Sequence, residues 1–348
     1  LNAYRQWMGA ATGALALGLA ACGGGGTDQS GNPNVAKVQR MVVFGDSLSD
    51  IGTYTPVAQA VGGGKFTTNP GPIWAETVAA QLGVTLTPAV MGYATSVQNC
   101  PKAGCFDYAQ GGSRVTDPNG IGHNGGAGAL TYPVQQQLAN FYAASNNTFN
   151  GNNDVVFVLA GSNDIFFWTT AAATSGSGVT PAIATAQVQQ AATDLVGYVK
   201  DMIAKGATQV YVFNLPDSSL TPDGVASGTT GQALLHALVG TFNTTLQSGL
   251  AGTSARIIDF NAQLTAAIQN GASFGFANTS ARACDATKIN ALVPSAGGSS
   301  LFCSANTLVA SGADQSYLFA DGVHPTTAGH RLIASNVLAR LLADNVAH

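Results

Sequence analysis

Charge is scarce in this chain. Only 9% of its 348 residues are Asp, Glu, Lys or Arg, against about a quarter in ordinary globular proteins. The 13 Lys and Arg residues are scattered and outnumbered by 17 Asp and Glu, for a net charge of −4. No basic patch is available to neutralise a phosphate backbone, so nucleic acid is not expected as a partner. Cysteine is limited to five residues, with spacings that fit no familiar zinc module and no histidine near them. Neither a metal nor a cofactor is expected. With few charges, the polar surface must come from Gly, Ser, Thr, Asn and Gln, a composition compatible with an extracytoplasmic protein.

The first residues carry a location signal. Arg5 is followed by an apolar run from Met8 to Ala21 that ends in small residues. This is the layout of a secretory signal, too short to span a bilayer stably. The run closes on Leu19-Ala20-Ala21-Cys22, which resembles the lipobox of bacterial lipoproteins. That resemblance implies cleavage before Cys22, lipid on its thiol and membrane association through the lipid; an ordinary signal peptide cut at the same alanines is the alternative. Residues 1–21 are therefore expected to be a signal, 22–34 a glycine-rich tether, and 35–348 a single folded domain. The location follows as an outer-membrane or cell-surface lipoprotein, or a secreted protein.

Setting Cys22 aside leaves Cys100, Cys105, Cys284 and Cys303, an even number suited to an oxidising compartment. Three pairings are open. Proximity in sequence favours Cys100–Cys105 and Cys284–Cys303.

Apolar runs at 38–44, 154–160, 208–214 and 255–260 read as buried strands. Helical spacing marks 72–82, 181–205, 231–250 and 325–344, with prolines near several starts and glycines near several ends. Alternating strands and helices predict an α/β fold with a mainly parallel sheet covered on both faces. Segments at about 51–71, 91–129, 166–180, 217–230 and 271–321 read as long irregular loops around a substrate cleft.

Four short motifs carry the chemistry. Gly45-Asp46-Ser47-Leu48-Ser49-Asp50 offers a hydroxyl just past the first strand, and Gly161-Ser162-Asn163-Asp164 offers an amide just past the second. Ligands of such sheets bind beyond the carboxyl ends of the strands, so both motifs fall on one edge. Asp321-Gly322-Val323-His324 supplies a histidine in a turn with an acid three residues upstream, which can fix the ring's tautomer. Gly111-Gly112-Ser113 supplies a backbone N–H with no Cβ to block a substrate. The set comprises a nucleophile (Ser47), a base (His324), an orienter (Asp321) and an oxyanion hole from the Ser47 and Gly112 N–H groups and the Asn163 amide. Phe166, Phe167 and Trp168 are candidates for the substrate pocket or for packing beneath the loop.

These blocks, their order and the Asp321–His324 spacing resemble the GDSL, or SGNH, hydrolase family, lipolytic branch. Its four name residues map onto Ser47, Gly112, Asn163 and His324. Asn69-Pro70-Gly71-Pro72-Ile73-Trp74 is similar to a further segment of that branch. The resemblance implies a flavodoxin-like three-layer α/β/α sandwich and a serine esterase or lipase acting on small-molecule or lipid esters through an acyl-enzyme. Asp107 and Thr53 stand where the family often has asparagine, and bear on substrate preference.

Three other readings are open. An acyltransferase would use the same triad with an alcohol as acceptor. A catalytically silent lipoprotein would bind a ligand through its loops. Gly271-Ala272-Ser273-Phe274-Gly275 matches an α/β-hydrolase elbow, but the elbow must join a strand to a helix, and Ser273 follows a helix.

Overall fold

The computed structural model describes residues 38–100 and 104–346. The expected signal, the tether and Cys22 lie outside them. Four short strands, apolar but for a charged first residue in three of them, form the central sheet: β1 (Arg40–Gly45), β4 (Asp154–Leu159), β5 (Val210–Phe213) and β6 (Arg256–Ile258), parallel and in that order. Between β1 and β4 the chain makes an antiparallel hairpin, β2 (Val90–Tyr93) with β3 (Ser96–Asn99), while β7 (Asn278–Arg282) and β8 (Tyr317–Phe319) form a separate parallel pair.

Register shows why the strand interiors are apolar. Val43, Phe157 and Tyr211 are aligned across the sheet and share one face. Phe157 packs on Trp74 of the helix Trp74–Gln81, and the Tyr211 hydroxyl donates to Asp344, just past the helix Thr327–Ala343. Phe44 points the other way and packs edge-on against Phe141 of the helix Val134–Ala144. Both faces are therefore covered by helices, giving three α/β/α layers. The expected α/β fold with a mainly parallel sheet is the one observed.

Each expected strand and helix is present, with its ends shifted by up to three residues: most are trimmed, and the helix expected from 231 starts at Gly228. Several segments expected to be irregular are not. The helix Ser162–Ala173 runs through the segment read as a loop from 166. Its residues after Ile165 are half-buried or exposed and none is buried, so no buried face marks them. Within 271–321 lie β7, the helix Ala286–Leu292 and β8, organised around the Cys284–Cys303 disulfide and a small core of Ala283, Ile289 and Leu308. The second bridge joins Cys100 to Cys105. Both pairings match expectation, and such bridges persist in extracellular or periplasmic settings.

Candidate active site

β1 ends at Gly45, and Ser47 sits two residues beyond it in a tight turn. Asp46 shapes that turn: its carboxylate accepts the Leu48 N–H, and its carbonyl accepts the N–H groups of Ser49 and Asp50. Asp50 then ties the turn to its neighbours, accepting Gly52 and Thr53 N–H on one oxygen and Gly111 N–H on the other. Tyr54 donates its hydroxyl to the Gly111 carbonyl at 2.7 Å. The Ser47 turn and the Gly111–Gly112 turn are thus one hydrogen-bonded unit. Asp107 and Thr53 belong to it as well: Asp107 accepts Ile51 N–H, and the Thr53 hydroxyl donates to the Ala109 carbonyl.

His324 comes from the far end of the chain. It follows β8, whose turn is closed by Ala320 N–H donating to the His324 carbonyl. Its Nε2 lies 2.8 Å from Ser47 Oγ. On the other side of the ring, Nδ1 lies 2.9 and 2.8 Å from the two oxygens of Asp321. An ionised carboxylate can only accept, so Nδ1 carries the proton and Nε2 is free to accept the Ser47 hydroxyl. Asp321 also accepts backbone N–H groups from Ser300, Val323 and His324.

Burial and charge set the titration of this pair. Burial works against ionised Asp321, but His324 and the converging N–H donors outweigh it and hold the carboxyl well below the usual range. For His324, burial lowers the pKa, while Asp321, with Asp46 and Asp223 beyond it, more than compensates and leaves it raised. Asp46 itself is pushed up to about 7, chiefly by burial. Phe66 covers the imidazole, its ring centroid 5.0 Å away.

The expected oxyanion donors converge on the same cavity. Ser47, Gly112 and Asn163 all line it. Neither the Ser47 nor the Gly112 backbone N–H donates to any protein acceptor among the described residues. Gly112 adopts φ +82°, and a Cβ there would fall 2.1 Å from the Ile121 carbonyl oxygen, so only glycine fits. One amide hydrogen of Asn163 is spent on the Ser113 carbonyl at 2.9 Å, which leaves the other for the cavity. Asn163 is held by its neighbour. Asp164, at the start of the same helix, bonds Arg114 and the Val115 N–H.

The cavity has a volume of about 590 Å³. Its walls are mostly apolar and include Leu48, Tyr54, Phe66, Phe260, Leu301 and Phe302, with Val57, Tyr93 and Ile121 exposed at its rim. Of the three aromatic candidates, Phe166 lines this space. Phe167 and Trp168 do not; they stack on the Arg114 guanidinium, whose Cζ lies 4.2 and 5.8 Å from their ring centroids. Phe66, Leu301 and Phe302 were not legible as cavity residues, because each reaches the site from a segment without periodicity. Ser273 lies exposed on a 3-10 turn, Gly271–Phe274, after the helix Phe260–Gln269, away from any strand end.

Comparison with known proteins gives one family. The model described as GDSL-like Lipase/Acylhydrolase matches residues 41–337. Esterase EstA of Pseudomonas aeruginosa is 30% identical over 329 residues, covering 87% of this chain and 47% of that protein. A Pseudomonas putida protein, described by its place in the trpE–trpG intergenic region, is 30% identical over 330 residues, covering 87% and 48%. The chain spans about half the length of these curated relatives. Among solved structures, a catalytic mutant of an acetylxylan esterase from Geobacillus stearothermophilus overlays with a TM-score of 0.42 at 13% identity, covering 89% of this chain and 97% of that one. That likeness is too distant to argue from.

Proposed function

Since the chain belongs to the GDSL-like lipase/acylhydrolase family, we propose that it is a carboxylic ester hydrolase working through Ser47, His324 and Asp321. The observation that carries this reading is the continuous hydrogen-bonded line from Ser47 Oγ through the imidazole to Asp321. His324 takes the Ser47 proton as the oxygen attacks the ester carbonyl. The imidazolium that forms is stabilised by Asp321, which keeps its charge. Negative charge builds on the carbonyl oxygen and meets the N–H groups of Ser47 and Gly112 and the free amide hydrogen of Asn163. Such donors are preorganised, so they cost no rearrangement as the reaction proceeds. His324 then protonates the departing alcohol, and the acyl group remains on Ser47. Water, deprotonated by the same ring, releases the acid.

An apolar cavity beside the nucleophile supports a substrate with an apolar acyl or aryl group. Burial of each methylene contributes about 0.8 kcal/mol, so rates on p-nitrophenyl esters should climb with chain length until the cavity is full. Rates highest on acetate and falling with every added carbon would rule out an acyl pocket. The export signal at 1–21, the tether 22–34 and the lipid on Cys22 complete the proposal, with residues 35–348 as one hydrolase domain displayed outside the cytoplasm.

A further inference from the structure

A closed circuit of bonds begins and ends at the triad acid. Ala320, the residue before Asp321, has its carbonyl bonded to the Cys284 N–H at 2.9 Å. Cys284 is joined covalently to Cys303. The Cys303 N–H donates to the Ser300 carbonyl at 3.0 Å. The Ser300 N–H returns to Asp321, donating to Oδ2 at 2.8 Å. That oxygen has one other partner, His324 Nδ1. The remaining N–H donors, Val323 and His324, serve Oδ1.

We propose that the Cys284–Cys303 bridge is a positioning device for the base, holding the Ser300 backbone N–H against Asp321 and, through that carboxylate, setting the imidazole of His324. The inference rests on the reading of His324 as the general base. Ser300 does not line the cavity, and its N–H bears on the site through Asp321, while its carbonyl and that of Cys303 also accept the Asn69 amide. Its hydroxyl is buried without a partner, which leaves the backbone N–H as the group that matters. The loop closed by the bridge also supplies Val293, Ala296, Leu301 and Phe302 to the cavity wall, so one covalent link sets both the acid and the pocket. Without the Ser300 N–H, the carboxylate is free to rotate on its remaining donors. The Oδ2 bond to His324 Nδ1 is then less well held, and the part of the pull on His324 that this bond supplies weakens. Asp46 and Asp223, the other charges acting on His324, lie outside the circuit, and His330 is buried and neutral with its pKa lowered to about 3, chiefly by burial.

The backbone allows a clean test. Ser299 sits at φ −60° and ψ 136°, the extended conformation proline demands of its predecessor, and position 300 opens a short 3-10 turn. Ser300→Pro therefore keeps the backbone path but replaces the N–H with a ring carbon that pushes Asp321 Oδ2 away, while Ser300→Ala keeps the bond. Cys284→Ala/Cys303→Ala cuts the circuit elsewhere and covers the case in which the proline variant fails to fold. The full chain is assayed for kcat against pH on a p-nitrophenyl ester. Ser300→Pro should lower kcat about ten- to a hundredfold, the scale of one hydrogen bond to a charged group, and move the acidic limb of the profile to lower pH. The double cysteine variant should move the limb the same way, and Ser300→Ala should keep it at the wild-type position. A lower rate with an unmoved limb in both the proline and the cysteine variants would mean lost packing alone and overturn the proposal, as would a limb moved upward. A wild-type profile with no acidic limb would instead refute the base assignment itself.

Discussion

Asp164 and Arg114 form a buried ion pair, Nε to Oδ1 at 3.1 Å, with side chains 3% and 4% exposed. The other carboxylate oxygen accepts the Val115 N–H at 2.9 Å. Asn163, one residue earlier, bonds the Ser113 carbonyl. Two adjacent side chains at a helix start thus clamp the 113–115 loop, which follows directly from Gly112. This clamp ties Asn163 to the loop that carries Gly112, the two groups proposed as the distal oxyanion donors.

Asp164→Ala removes one member of the pair and leaves Arg114 with Asp117 as its one charged partner among the described residues. Breaking a buried pair typically costs about 3–5 kcal/mol. Urea denaturation of the variant should show a loss of that size, together with reduced turnover at temperatures where it remains folded. Unchanged stability would mean the pair is not load-sharing in the fold.

Asn163→Ala deletes an amide whose second hydrogen faces the cavity. Loss of one oxyanion donor typically lowers turnover by about 10²–10³. Steady-state kinetics should show this fall in kcat with KM little changed. A fall confined to KM would place Asn163 in binding instead.

Gly112→Ala meets two obstacles at once, a positive φ and a carbonyl oxygen 2.1 Å from the new Cβ. The backbone strain alone is worth about 1–2 kcal/mol. The turn must shift, carrying the N–H away from the reacting centre, so kcat should drop alongside the melting temperature. Full activity at reduced stability would exclude this N–H from the mechanism.

The pH dependence follows from His324. The base works only when neutral, and its pKa is raised above the ordinary histidine value of 6.5, the pull of Asp321 outweighing burial. Activity should therefore be full at alkaline pH and fall as pH drops through a value above 6.5. Asp321→Ala should lower both the rate and the midpoint, because burial is then opposed by Asp46 and Asp223 without the larger pull of Asp321. A kcat profile flat down to pH 5 would contradict the assignment.

Ser47, Asn163 and His324 were legible because each stands at a boundary that apolar patterning reveals: two strand ends and a turn before a helix. The disulfide pairs were legible from proximity alone. Much of the pocket was not. Phe66 reaches His324 from an aperiodic loop, and Leu301 and Phe302 are held by a covalent bridge and single hydrogen bonds, none of which leaves a repeating trace in sequence. For Phe167 and Trp168 the sequence left pocket and packing equally open. They are aromatic and directly follow the Asn163 block, yet their partner is Arg114, distant in sequence and visible only once the loop is folded. The helix Val134–Ala144 went unread although Val134, Leu138 and Phe141 are spaced for burial.

The most direct measurement is labelling of the folded protein with a fluorophosphonate, followed by peptide mass mapping. The account predicts a single adduct on Ser47, abolished in Ser47→Ala and strongly slowed in His324→Gln, with Ser273→Ala labelled like wild type. An adduct on Ser273, or none on the folded protein, would contradict it.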